Sequence, residues 1–185
     1  MDLFARAIEA VRAEVRTDHI VLVGHSLGTP AVLRYAHLYP AHTALVFVDS
    51  LMPAPSARAA EVAGAGAAMA GPNGRVAREA MVRSFFVAST TPAVQTKVLN
   101  MMLGAPEATA VGAMSATFEQ TLEIPIVPIL GIYAGPSRIA TRESVLKYFP
   151  KAEYTATPDT GHFLMLEKPE EFNRLLLAFL SRQEY

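Results

Sequence analysis

The chain of 185 residues has no cysteine and no tryptophan, and aromatic residues make up only 8% of it. The lack of cysteine excludes disulfides, thiolate metal sites and a cysteine nucleophile together, and it fits a reducing, cytoplasmic setting. Charge of one sign is also lacking. Sixteen Lys and Arg face 17 Asp and Glu, so no basic field exists to gather nucleic acid or acidic lipid. The start, Met1-Asp2-Leu3-Phe4-Ala5-Arg6, has neither the basic opening nor the apolar run of a secretion signal. No apolar run approaches the ~20 residues that a bilayer-spanning helix needs. The five histidines lack the i, i+4 spacing of helical metal ligands, and no phosphate-cradling glycine loop occurs. The expectation is a soluble protein with no metal, no cofactor, no nucleic-acid partner and no membrane span.

What is present is an apolar fraction of 51%, enough to bury a real core within one domain. Phe4, Ile8, Val11 and Val15 share one face of a first helix. Ile20-Val21-Leu22-Val23 is a short apolar run that suits a strand buried on both faces. Gly24-His25-Ser26-Leu27-Gly28 follows, and a helix runs from there to about Tyr39, stopping before Pro40. Ala44 to Val48 reads as a second strand ending at Asp49-Ser50, which completes a strand–helix–strand unit.

From Leu51 to about Gln120 Ala, Gly and Met dominate, prolines punctuate and no strand pattern appears. Helices are expected near 57–69, 75–87, 92–102 and 106–118. This stretch reads as a packed helical subdomain or as a lid over a pocket. Met69, Met81, Met101, Met102 and Met114 would suit an adaptable pocket wall, although Met also fills ordinary cores. Strands then resume at Ile126–Ala134 and Ala152–Thr157, with a helix at Thr141–Phe149 between them and a closing helix from Lys168 to about Arg182. The expected organisation is a core of residues 1–50 and 121–185 with a helical lid at 51–120.

Strand, Gly-x-Ser-x-Gly, helix is the pattern of a nucleophile elbow. Its tight turn lifts the Ser26 hydroxyl off the sheet, and the N–H of Leu27, at the positive end of the helix, faces a developing oxyanion. Gly24 and Gly28 are expected to avoid collisions with the neighbouring strand or helix. His25, beside the serine, is expected to point elsewhere. A serine needs a base, and His162 is placed for it. It lies in a loop past the last strand, after Gly161, and such loops gather at the sheet edge that carries the elbow. The acid is the open member. Asp159 is a candidate, but it lies only three residues from His162 and reads rather as a turn residue. Glu143, Glu167, Glu170 and Glu171 sit at helix starts and read as structural.

Val21-Leu22-Val23-Gly24-His25-Ser26-Leu27-Gly28, Val46-Phe47-Val48-Asp49 and Gly161-His162-Phe163-Leu164-Met165-Leu166-Glu167-Lys168-Pro169 resemble the α/β-hydrolase superfamily. The resemblance runs over nearly the whole chain and implies a partial α/β-hydrolase fold, a mostly parallel sheet of about four strands with flanking helices and a helical lid. It also implies hydrolysis of small carboxylic esters by a Ser-His-acid triad. In many members the acid follows the strand after the lid, yet Ile132-Tyr133-Ala134-Gly135-Pro136-Ser137-Arg138 holds no carboxylate. A known variation puts it where Asp49 stands, although many members carry a structural Asp there. The resemblance further implies strands before the elbow that this sequence lacks, and with them a second oxyanion donor. Two expectations follow: a bare edge at strand 20–23 that would favour a homo-oligomer, and, as an alternative to catalysis, a remnant that binds a small apolar ligand or a partner protein.

Overall fold

A computed structural model describes residues 1–40, 43–50, 66–118 and 126–183. The helix expected near 57–69 falls largely outside these residues. Chain order gives α1 (Asp2–Glu14), β1 (Ile20–His25), α2 (Gly28–Leu38), β2 (Thr43–Val48), α3 (Gly74–Ser84), α4 (Pro92–Gly104), α5 (Glu107–Phe118), β3 (Ile129–Gly135), α6 (Arg142–Tyr148), β4 (Glu153–Pro158), α7 (Leu164–Glu167) and α8 (Pro169–Leu180). The four strands form one parallel sheet in the order β1-β2-β3-β4. This is a partial α/β-hydrolase fold.

Alternation along β2 explains the layers. Ala44, Val46 and Val48 join Leu130, Ile132 and Ala134 under Leu164, Phe172 and Phe179, so α7 and α8 cover one face. Leu45 and Phe47 join Val32, Leu33, Ala36 and Phe149, so α2 and the end of α6 cover the other. All six residues of β2 are buried, as a central parallel strand requires. The helices start where local chemistry permits. Thr141 and Ser144 form a capping box at α6, Thr91 caps α4 ahead of Pro92, and Pro169 opens α8 with Glu170 and Glu171 in its first turn. A third apolar cluster, Val82, Val98 and Phe163 with Met81, Phe85, Met102 and Leu166 around it, ties α3 and α4 to the loop and short helix after β4.

Three expectations need correction. β1 is not buried on both faces: Ile20 to Leu22 are half-buried and Val23 is 47% exposed, because β1 is the sheet's outer strand. The apolar face of α1 is also largely uncovered. Only Ala5 of that helix is buried, while Phe4, Val11 and Val15 are exposed. α1 packs on α2 and is held by polar contacts, Arg34 to Asp2 at 2.6 Å and Tyr35 Oη donating to Glu9 at 2.9 Å. Finally, β3 starts at Ile129, not Ile126. Ile126 is 96% exposed, and Pro128 has no N–H to give a sheet ladder. The short helix α7 was not expected as a separate element.

Candidate active site

The elbow is held by its own backbone. A Cβ on Gly24 would come within 2.8 Å of Thr29 Cα, so only glycine lets α2 start this close to β1. The Gly24 carbonyl accepts from the hydroxyls of Thr29 (3.0 Å) and Ser50 (3.2 Å), and these two hydroxyls also meet each other. Ser26 N–H donates to Val48 O at 3.1 Å. Ser26 is thereby fixed at φ +51°, a left-handed conformation that costs an L-residue about 1–3 kcal/mol. Gly28 behaves otherwise: an added Cβ there meets no atom within 4 Å, so the expected collision applies to Gly24 alone.

Asp49 follows β2 directly, also at positive φ (+37°), and is 1% exposed. Its Oδ2 lies 2.8 Å from His162 Nδ1. Because a carboxylate can only accept, Nδ1 carries the proton, and the Nε2 lone pair is left on the far side of the ring. Asp49 Oδ1 accepts from Ala134 N–H (3.2 Å) and from Ser137 Oγ (2.7 Å). The Ser137 hydroxyl in turn accepts from the N–H groups of Ile139 and Ala140 at 3.0 and 3.2 Å, which leaves its proton for Asp49. The segment without a carboxylate thus supplies the donors that hold one. Asp159 sits in the turn before Gly161 at φ +51°, and no hydrogen bond joins its carboxylate to His162 among the described residues. Nothing in the sequence singled out Ser137.

His162 is 5% exposed and lies between two rings, Phe85 at 4.4 Å and His25 at 4.5 Å between centroids. His25 turns its ring to His162, not to Ser26. Its Nε2–H donates to the backbone carbonyl of His162 at 2.9 Å, and burial, with His162 nearby, pushes its pKa down to about 4. It is a neutral prop under the other histidine. Gly161 allows the close approach of α3's end, since a Cβ would stand 2.7 Å from Phe85 O, the carbonyl that accepts from His162 N–H at 3.3 Å. Glu167 accepts from Gly161 N–H (2.7 Å) and from the Thr90 hydroxyl (3.2 Å), bracing the same loop as a structural residue.

Ser26, Leu27, His25 and His162 line one cavity of about 290 Å³, walled by Met81, Phe85, Met101, Met102, Met114, Ile139, Phe163, Met165 and Leu166. Four of the five anticipated methionines are there. Met69 is not among these lining residues, and its carbonyl accepts from Arg78 at 2.6 Å. Leu27 is the N-cap residue of α2, and its N–H donates to no described acceptor. A larger open cleft of about 470 Å³, lined by Glu9, Arg12, Asp18, His19, Tyr35 and Tyr39, contains none of the elbow residues. No group of three potential metal ligands occurs among the described residues.

The model of the Alpha/beta hydrolase family matches residues 1–175. The chain belongs to this family. Among solved structures, it is similar to a thermophilic esterase from Thermogutta terrifontis at 21% identity, with 96% of this chain and 71% of that one covered and a TM-score of 0.82. It is similar also to a bromoperoxidase from Bacillus anthracis (17%; 97% and 74%; TM-score 0.80) and to an esterase from Exiguobacterium antarcticum (14%; 96% and 72%; TM-score 0.78). A 1-acylglycerol-3-phosphate O-acyltransferase of Saccharomyces cerevisiae shares 46% identity over 50 residues, which is 27% of this chain and 12% of that protein. The match therefore spans about an eighth of that curated relative's length. No helix among the described residues is long and apolar enough to cross a membrane.

Proposed function

We propose that this hydrolase-family chain cleaves carboxylic esters through an acyl-enzyme formed on Ser26. The observation that carries the reading is the buried 2.8 Å contact between His162 Nδ1 and Asp49 Oδ2 beside a cavity that Ser26 also lines. His162 Nε2 would take the Ser26 proton as Oγ bonds to the acyl carbon, and Leu27 N–H would hold the oxyanion. The alcohol oxygen would leave with the proton from His162, giving the acyl-serine. Water, deprotonated by the same imidazole, would then release the acid and restore Ser26. Asp49 fixes the tautomer and the ring plane. Residues 1–50 and 121–185 would form the catalytic core and 51–120 a cap over the cavity, as the methionines from α3, α4 and α5 in its wall suggest.

Esterases stand among the similar solved structures, as does a bromoperoxidase, and one fold hosts many reactions, so the choice of ester cleavage rests on the site itself. A second reading has one observation in its favour: among the described residues no hydrogen bond joins Ser26 to His162, as expected of a remnant that only binds an apolar ligand or partner protein. Unliganded sites often hold this bond open, so the first reading stands. Hydrolysis of p-nitrophenyl acetate by the wild type and its loss in Ser26→Ala would establish the nucleophile. Equal rates in the two folded proteins would transfer the case to the binding remnant.

Two further expectations join this proposal. The exposed β1 edge would be covered by a second copy of the chain, giving a homo-oligomer. The cysteine-free sequence is at home in the cytoplasm, and fractionation of cells expressing the protein would test this.

A further inference from the structure

Ester cleavage at Ser26 does not by itself require the wall that this cavity has. Five of the chain's eight methionines line it: Met81, Met101, Met102, Met114 and Met165. They come from four elements, α3, α4, α5 and α7, so their convergence is not one helix face repeated. Methionine often fills gaps in cores, but core filling leaves no void, and these side chains border about 290 Å³ of empty space. Among the described lining residues none is Asp, Glu, Lys or Arg. The polar side chains there are Ser26, His162 and His25, which belong to the reaction centre.

We infer that this cavity is an acyl site for neutral, flexible hydrocarbon chains of intermediate length. The inference rests on the Ser26 reading and specifies its substrate class. At about 30 Å³ per water-sized group, the space holds on the order of ten non-hydrogen atoms, which is an acyl chain near eight carbons rather than an acetyl group. A carboxylate at the end of such a chain would lose its water and meet no cation among the described lining residues. Thioether side chains are unbranched and have three rotatable bonds, so the wall re-forms around chains of different lengths. The length profile should therefore rise by up to about fourfold per methylene and flatten near eight carbons without a sharp cut-off.

The test is a series of p-nitrophenyl esters from acetate to decanoate, with the monoester of octanedioic acid as an anionic chain of the same length. Octanoate is expected to exceed both acetate and the octanedioate monoester in kcat/KM by about tenfold or more. A steady fall with chain length, or equal rates for the neutral and anionic chains, would overturn the inference while leaving a Ser26-dependent esterase intact. Met102→Ser and Met114→Ser should each lower the octanoate-to-acetate ratio. Calorimetry of octanamide with the Ser26→Ala protein reads the cavity without the chemistry. Octanamide should bind and its ω-carboxylate analogue should not. If no ester is cleaved yet octanamide binds selectively, the reaction fails and the site survives. If neither amide binds, the site is refuted as well.

Discussion

Ser137 and His25 are the residues that change the picture of the proposed reaction centre, because each acts on a partner distant in sequence. Ser137 Oγ reaches Asp49 across 88 positions and shares the load with Ala134 N–H. Ser137→Ala should lower kcat of ester hydrolysis by about tenfold with KM nearly unchanged, the scale of one lost hydrogen bond to a charged group. Ser137→Thr should restore most of it, and an unchanged kcat in the alanine variant would refute the role. His25 makes a prediction about stability. Its pKa is about 4 in the fold against 6.5 ordinarily, so between these values the unfolded chain binds a proton that the folded one refuses. The stability is complete above pH 6.5 and is lost as pH falls toward 4, by up to about 3 kcal/mol from this group. Denaturant titrations at pH 7, 5 and 4 should trace that loss, and His25→Gln should flatten it.

At the scale of elements, the two glycines of the elbow separate packing from pattern. Gly24→Ala would drive a Cβ into Thr29 at 2.8 Å, against backbone that belongs to α2 and cannot swing aside. It should cost about 1–3 kcal/mol in a thermal or denaturant melt. Gly28→Ala meets open space at the first position of the same helix and should be neutral or stabilising by up to about 1 kcal/mol. Equal destabilisation by both would mean that α2 does not approach β1 as described. The loop after β4 is a comparable case. Gly161, Glu167 and Phe85 O brace the loop that carries His162, and two of them lie within six residues of it. Such bracing explains how a loop keeps a side chain in register with Asp49 just past the end of β2.

For the molecule as a whole, the uncovered surfaces concentrate on the N-terminal part of the chain. β1 ends the sheet with Val23 exposed, and α1 shows Phe4, Val11 and Val15 to solvent. Open apolar edges favour pairing. Light scattering at micromolar concentration should report a mass of at least twice 19.9 kDa, and Val23→Lys should shift it toward the monomer. A clean monomer for the unmodified chain would remove the proposal of self-association without touching the active-site reading.

The sequence by itself determined the architecture wherever a local rule operates. β-branched runs gave the strands, helical periodicity and prolines bounded the helices, and Gly24-His25-Ser26-Leu27-Gly28 between a strand and a helix marked the elbow, because that turn needs those residues consecutively. His162 was legible as a candidate because parallel strands bring their carboxyl ends to one edge, and Asp49 only through the family resemblance. Tertiary structure alone decided the rest. Which acid meets His162, that Ser137 supports it, and that His25 props His162 depend on contacts 85 to 137 residues apart. The burial of β1 and of the α1 face was misjudged because an apolar pattern states which side could be covered. Whether anything covers it depends on the neighbours that the fold supplies.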